Sequence, residues 1–448
     1  MKRHRLLLGL LLLSFLLLSV SIAAQQRAVW WDSAVYIGMG KYYWSAGQSG
    51  FSEPSRPPAL PLLLGAFWNA GLDTILSGTI LIIVFSLGTV FLTFKIGEKL
   101  FGANTGLLAA FLLGFSFTFL SFSHRILTEI PSSFFLLLGA LLLLKQKPVL
   151  GGIAFGLSFL TRFYQLLPII IILAAFHLQR RHGRRELLLI ISGFSIPLLP
   201  YLLLGAIAYG NPMLPFTLQL YLSMHTGTIY AQPLLFYAAS LIKENILLLS
   251  LAALPLVWKK NQHLRLLAWI ALIPLLLYTL APHKEMRLLL PLLPFVSLLA
   301  AFCTIYLSHY LAQRFAMPDK TILFLFCAIF LGIGLSHTLL FIIHPSSQPS
   351  PQQEFFQEYL QEREHAGQHI WISSPLYALR TDAPVSGLMY YPGIRGEPDL
   401  ALVNTCDFLG NDREYGAMTS RNLDTVMATL KQVYSSREKG CVYTIYGR

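Results

Sequence analysis

Long apolar runs without a charged residue recur along this chain, and they constrain its fold more tightly than any other feature. Residues 6–24, 187–208 and 321–343 each approach or exceed the ~20 residues that carry an α-helix across a bilayer. The sequence is 55% hydrophobic and only 12% charged, with a mean hydropathy of +0.60. Soluble domains carry roughly 25% charged residues, so this chain lacks the charge to cover itself in water. A polytopic membrane protein is the reading that fits. Spans are expected near 6–24, 74–95, 105–123, 132–144, 149–161, 165–178, 187–208, 244–258, 266–281, 288–309 and 321–343, about eleven in all. The basic start and small residues near Ser21–Ala24 suit a signal peptide too. The apolar stretch of 6–24 is longer than the ~7–15 residues of such segments, which favours a retained first helix.

The net charge of +12 does not point to nucleic acid, because the excess sits in short clusters between apolar runs. With the N-terminus in the cytosol, the inner segments carry Lys95/Lys99, Lys145/Lys147, Arg180 to Arg185, Lys259/Lys260/Arg265 and Arg314/Lys320, the pattern of positive-inside topology. The outer segments differ. Residues 25–73 form a long loop in which 34–46 and 57–69 read as helices lying along the interface, and 209–243 has similar character. From His344 the composition turns polar. We expect a membrane domain over 1–343, a linker over 344–352 and a small extracytoplasmic α/β domain over 353–448. In that tail 353–364 and 423–434 read as helices, and 369–373, 400–404 and 442–446 as strands. Cys303 and Cys327 lie in apolar runs as packing residues, whereas Cys406 and Cys441 sit where a disulfide is permitted. The sequence shows no convincing internal repeat.

Chemistry-bearing residues gather on the outer face. Asp32 follows the first span among aromatics, where burial can raise its pKa towards the working pH and fit it to accept a proton from an alcohol; it equally suits an N-cap for 34–46. His124, Arg125, Thr128 and Glu129 crowd a short turn before Pro131. Arg162 ends a span, where it either snorkels or clamps a lipid phosphate beside Tyr164. His283-Lys284-Glu285-Met286-Arg287 is the sharpest cluster, lying on the side where the charge rule does not call for basic residues. Together with Arg56, these residues suit a reaction between an acceptor hydroxyl and an anionic lipid donor. A transporter would place its ionisable groups near the midplane on broken, repeated helices; the long spans here are nearly free of charge.

At these residues the sequence resembles the GT-C superfamily of membrane glycosyltransferases. Trp31-Asp32-Ser33-Ala34-Val35-Tyr36 and Arg56-Pro57-Pro58-Ala59-Leu60-Pro61 are similar to the first outer loop of glycosyltransferase family 39, which holds protein O-mannosyltransferases and aminoarabinose transferases. Arg125 to Pro131 resembles that family's second acidic motif, and Leu160-Thr161-Arg162 shares its look. His283-Lys284-Glu285 is similar to the His-Lys-Glu motif of dolichol-phosphate-mannose-dependent mannosyltransferases. The resemblance covers most of 1–343. It departs where many members carry Asp-Glu, since Asp32 is followed by Ser33.

What the resemblance implies is a polyprenyl- or dolichyl-phosphate-linked sugar donor, mannose-like in preference. The acceptor would be a glycan, protein or lipid, and the transfer inverting, with membrane lipids but no nucleic acid as further partners. Asp32 would be the catalytic base, with Glu129 binding the acceptor, the sugar or a divalent cation. Arg56, Arg125, Arg162, Tyr164, His283, Lys284, Glu285 and Arg287 would hold substrate or lipid phosphate. A divalent cation, if used, would fall to Asp32 and Glu129. The competing readings are a lipid-linked-saccharide flippase with no transferase chemistry, and a structural subunit presenting 353–448.

Overall fold

The computed structural model describes residues 2–26, 28–178, 183–226, 230–244, 246–258, 261–344, 350–362, 368–389, 396–408 and 412–448. The first half of the basic run from Arg180 to Arg185, Lys259/Lys260 and most of the 344–352 linker lie outside them. The chain opens with α1 (Lys2–Gln25), α2 (Trp31–Trp44) and α3 (Ala59–Asn69). There follow α4 (Thr74–Phe101), α5 (Ala103–Gly114), α6 (Phe117–Phe122), α7 (Glu129–Leu144), α8 (Pro148–Thr161), α9 (Leu166–Leu178) and α10 (Arg184–Tyr209). After α11 (Leu214–His225), α12 (Phe236–Glu244) and α13 (Leu254–Val257) come α14 (Gln262–Leu280), α15 (Leu293–Phe315) and α16 (Asp319–Ile343). The polar tail adds α17 (Pro351–Glu362), β1 (Ile370–Ile372), β2 (Val385–Gly387), β3 (Leu400–Asn404), α18 (Arg413–Thr429), β4 (Lys431–Glu438) and β5 (Cys441–Gly447).

Among the described residues six helices, α1, α4, α10, α14, α15 and α16, are long and apolar enough to cross a bilayer unaided. The other expected spans are shorter or interrupted. The 105–123 stretch breaks into α5 and α6 because Ser116 turns extended and its Oγ caps the amide of Phe119. The 244–258 stretch is not a straight crossing: Ile246–Ala253 winds as a 3₁₀ segment and, with α12, makes a pair bent by 117°. Helix α1 packs by one face, with Phe15 and Ile22 fully buried in the main apolar cluster, while Leu6, Leu10, Leu13 and Leu17 stay exposed.

Helix α2 lies against α3 through Gly40 and Gly65. A Cβ on Gly40 would come within 2.7 Å of the Pro61 carbonyl oxygen and the Gly65 nitrogen, so only glycine permits this approach. The crossing fixes α2, and with it Asp32, over the ends of the spans.

The tail builds a five-stranded sheet ordered β2-β1-β3-β5-β4, parallel across its first three strands and antiparallel thereafter. Alternation decides its two faces. Ile370, Ile372, Leu400 and Leu402 meet Phe356 and Leu360 of α17, while Trp371, Ala401 and Val403 meet Val426 and Leu430 at the end of α18. The first of these cores is completed by Val35 and Met39 of α2 and by Phe51. The same loop pairs with the sheet, since Gly50 N donates to Ala383 O (3.2 Å) and Val385 N to Gly50 O (2.9 Å). Lys41 Nζ drives across to the carbonyls of Leu379 and Thr381 and to Asp382, at 3.2, 2.8 and 3.1 Å. The tail is thus fused to the segment between α1 and α4. Cys406 and Cys441 are joined in a disulfide that ties the residues after β3 to the start of β5.

Within the tail, β2 is not among the expected strands, and the expected second helix is misplaced. The helix read over 423–434 ends at Thr429, and Lys431–Glu438 is a strand. Leu430 is already extended, and the hairpin partner 441–447 satisfies the backbone of Lys431 onward. Pairing with a later segment overrides a local helical pattern.

Asp407 sits beneath this sheet. Ser373 Oγ and Tyr377 OH donate to its Oδ2 at 2.6 and 2.8 Å, and Asn404 Nδ2 to Oδ1 at 3.1 Å. Burial outweighs these bonds and pushes its carboxyl up from 3.8 to about 6. The folded chain therefore holds this proton more tightly than the unfolded one. Its contribution is complete below about pH 4 and is lost as pH rises through about 6. We expect the unfolding of the tail in detergent to weaken by roughly 2–3 kcal/mol over that window, and Asp407→Asn to flatten the dependence. Circular-dichroism melts between pH 4 and 7 read the difference.

Candidate active site

Asp32 lies in the first turn of α2, one residue inside the helix. It is not the N-cap: that position is Trp30, whose side chain makes no capping bond. The carboxylate instead bridges two guanidinium groups. Arg56, just before α3, meets Oδ1 at 2.9 Å, and Arg287, just before α15, meets Oδ2. The chain of alternating charge extends both ways. Arg56 Nε pairs with Glu53 at 3.1 Å; Arg287 Nε pairs with Glu285 at 2.9 Å, and Glu285 with His283 at 2.6 Å. The positive end of the α2 dipole adds to the field on Asp32.

The sequence led us to expect a raised pKa here, and the structure reverses that. Burial does push the Asp32 carboxyl up, but Arg56 and Arg287 together more than cancel it and hold the group well below the ordinary carboxylate range. Arg287 lies 255 residues away in sequence, so the pairing is invisible locally. Glu285 behaves likewise: burial raises it, while the hydrogen bond from His283 and the charge of Arg287 bring it down.

A second buried pair adjoins the first. Glu129 opens α7 and Arg162 follows the end of α8; they meet at 2.8 Å, with Glu129 only 3% exposed. Arg162 therefore does not snorkel. Its Nη1 also donates to Thr128 Oγ1 at 3.4 Å, and the Tyr36 hydroxyl is 3.5 Å from the same oxygen. Tyr36 lies under the Arg56 guanidinium, 5.7 Å from its ring centre, and feels both Asp32 and Glu129. Arg287 in turn feels Asp32, Glu129 and Glu285. Elements from both ends of the membrane region thus converge on one pocket of charge.

The remaining candidates are placed differently. Lys284 is 5% exposed and turns to the Gln232 carbonyl at 3.0 Å, while its amide donates to Tyr230 O at 3.2 Å. An antiparallel bridge between Ala231 and His283 holds the 283–287 segment against the 209–243 region. Arg125 does not join the ion-pair chain. It lies in an aromatic cage, 4.0 Å from the Trp30 ring centre, 4.9 Å from Phe122 and 5.7 Å from Phe341. Burial there pushes its guanidinium down to about 10. By gripping Trp30 it steadies the residue from which α2 starts. His124 beside it is pushed down to about 3 by burial and by Arg125. Tyr164 faces α11, bonded to Ser223 and to Gln219 Nε2 at 3.2 Å, with Arg162 over its ring.

Sequence reasoning missed Glu53 and Gln232 as partners. Only Glu53 left a signal: it stands three residues before Arg56 in an otherwise weakly charged loop. For a divalent cation, the residues do not fit as they stand. Both Asp32 oxygens and one Glu129 oxygen already meet guanidinium groups, and no three His, Cys, Asp or Glu side chains converge among the described residues. A cation at Asp32 would have to displace an arginine.

Comparison with known proteins bears on the family and the fold. The model of the Alg9-like mannosyltransferase family matches residues 8–381. Three solved structures share the fold. ArnT from Cupriavidus metallidurans, bound to undecaprenyl phosphate, superposes with a TM-score of 0.69 at 12% identity, over 98% of this chain and 97% of its own. The Archaeoglobus fulgidus oligosaccharyltransferase AglB, in complex with an inhibitory peptide and a dolichol-phosphate, gives 0.61 at 11% identity, over 84% of this chain and 64% of its own. The mycobacterial arabinofuranosyltransferase AftD gives 0.52 at 13% identity, over 98% of this chain but 39% of its own. No curated protein sequence matches the chain significantly.

The Glu129–Arg162 pair makes a testable demand. Removing one partner leaves an uncompensated buried charge, which costs ~3–5 kcal/mol. Arg162→Met alone should destabilise the protein by that order. Glu129→Gln with Arg162→Met should be milder than the sum of the single changes, as thermal unfolding of the detergent-solubilised chain would report.

Proposed function

Because the chain belongs to the Alg9-like mannosyltransferase family, and is an integral membrane glycosyltransferase of GT-C fold, we propose that it moves a mannose-like hexose from a polyprenyl-phosphate donor to an acceptor hydroxyl. The observation that carries this reading is Asp32 held between Arg56 and Arg287, next to His283-Lys284-Glu285. In one inverting step the acceptor oxygen bonds to the anomeric carbon as its proton passes to an Asp32 oxygen. The bond from that carbon to the phosphate oxygen breaks, and its electron pair leaves with the polyprenyl phosphate. Arg287 takes up the charge that develops on the leaving phosphate.

A carboxylate clasped by two arginines is a poor base. The donor phosphate competes with Asp32 for Arg287, and each guanidinium drawn away raises the proton affinity of Asp32. The base therefore gains strength as the donor binds. Glu129 and Arg162 brace Tyr36 and Thr128 at the floor of the site and bind the transferred sugar or the acceptor. ArnT was solved with undecaprenyl phosphate and AglB with a dolichol-phosphate, which supports such a donor here.

The site faces away from the cytosol in this reading. Lys95/Lys99, Lys145/Lys147 and Arg314/Lys320 mark the cytosolic ends of the spans, with the N-terminus on the same side. Residues 1–343 then form the catalytic membrane domain and 353–448 its extracytoplasmic partner.

Asp32→Asn keeps the shape and removes the proton acceptor, so transfer should fall ~10²–10⁴-fold while donor binding persists. Arg287→Gln should weaken donor binding as well as turnover. Release of polyprenyl phosphate by the purified protein measures both. Asp32→Asn protein that folds and turns over at the native rate would overturn the assignment.

A further inference from the structure

Outside the ion-pair cluster a cavity of about 290 Å³ lies between the loop after α2 and the first two strands of the sheet. That volume stands at the lower end of the ~300–1,000 Å³ of small-molecule sites. Three aromatic rings, Tyr42, Phe51 and Tyr209, share its wall with Ser52, Ser386 and His369. We propose that this cavity is a subsite for one neutral sugar ring of the acceptor, an inference that rests on the glycosyltransferase reading above.

The lining decides the chemistry of the occupant. It contains no Lys, Arg, Asp or Glu, so no lysine or arginine there would clasp a phosphate, and the cations that suit the donor headgroup stand at Asp32 instead. The hydroxyls and the imidazole would be left unpaired by a lipid tail. An extended peptide has no free edge to join, because β2 is already paired on that side by Gly50. A sugar ring meets both demands: its C–H faces lie on aromatic rings, and its hydroxyls bond to Ser and His side chains. The Ser52 hydroxyl is buried and has no hydrogen-bond partner among the described residues. A sugar hydroxyl would supply one.

Position links the cavity to the reaction. Ser52 precedes Glu53, which pairs with Arg56, which pairs with Asp32. Tyr209 is the last residue of α10, a bilayer-length helix, so the cavity stands where that helix leaves the membrane. An acceptor glycan seated there would rest one sugar on the sheet while its reactive hydroxyl reaches towards Asp32. The tail then takes part in choosing the acceptor.

Saturation-transfer NMR on the full chain in detergent tests this with methyl glycosides of mannose, glucose, galactose and arabinose as probes. At least one should receive saturation from the native protein and from Asp32→Asn. Ser386→Phe, which fills the cavity, should abolish the signal, and Ser52→Ala should weaken binding about five- to tenfold. Tyr42→Ala removes one stacking face and serves as the second probe if Ser386→Phe does not fold. In the transfer assay Ser52→Ala should raise the KM for acceptor and leave that for donor unchanged. The proposal is overturned if no glycoside binds the folded native chain, or if binding survives both Ser386→Phe and Tyr42→Ala. Failure of the base assignment would appear separately, as an active Asp32→Asn protein that still binds the glycoside.

Discussion

A carboxylate bridging two arginines organises this molecule. Asp32 enters from α2, Arg56 from the loop before α3 and Arg287 from the turn before α15. No two of the three belong to one element, so the bridge can form only when the first outer loop and the late helices are in their final places. Each guanidinium is held from behind by a second carboxylate, Glu53 or Glu285. A lone buried charge would be costly; a chain of alternating sign is tolerated because every member has an opposite neighbour. Such a chain also restricts rearrangement. Moving one group exposes the charge of the next, and an entering anion that draws off Arg287 changes the electrostatics of Asp32 directly.

The same loop carries structural weight on its other side. Val35 and Met39 of α2 and Phe51 complete the core of the C-terminal sheet, and Gly50 pairs with its edge. Lys41 buries its ammonium among carbonyls of the tail. Asp32 is thus presented by a helix with one surface against α3 and another against the sheet. Asp32 and Lys41 stand nine residues apart on α2, so displacement of the tail would tilt the helix that holds the proposed base. This coupling gives the tail a mechanical part even without a residue in the ion-pair chain.

The parts of this arrangement legible in the sequence were those governed by local composition. Apolar runs marked the spans, and the motifs around Asp32, Glu129, Arg162 and 283–287 marked the groups that converge. What failed depended on distant partners. The raised pKa expected for Asp32 followed from burial alone, and two guanidinium groups, Arg56 and, 255 residues onward, Arg287, reverse it. The end of the 423–434 helix was misread because 431–438 pairs with residues beyond it. Arg125 looked like a phosphate ligand because it is basic and outer; its aromatic cage is assembled from Trp30, Phe122 and Phe341, which sequence distance hides. Ser116 could have been found, since a serine before a short aromatic run is an N-cap signal.

The depressed pKa of Asp32 sharpens the logic of the site. A base poised near neutral pH would be active whether or not a donor were present, and would offer its proton acceptor to water. In the proposed mechanism Asp32, held by two arginines, stays a weak base until one of them is engaged elsewhere. A phosphate is the ligand that arginine prefers for that exchange, because its oxygens match the planar guanidinium fork and it is anionic at neutral pH. Donor binding and base activation then become one event, carried by Arg287. His283 meets Glu285, which meets Arg287, so in the proposed mechanism the imidazole acts on that arginine only at second hand.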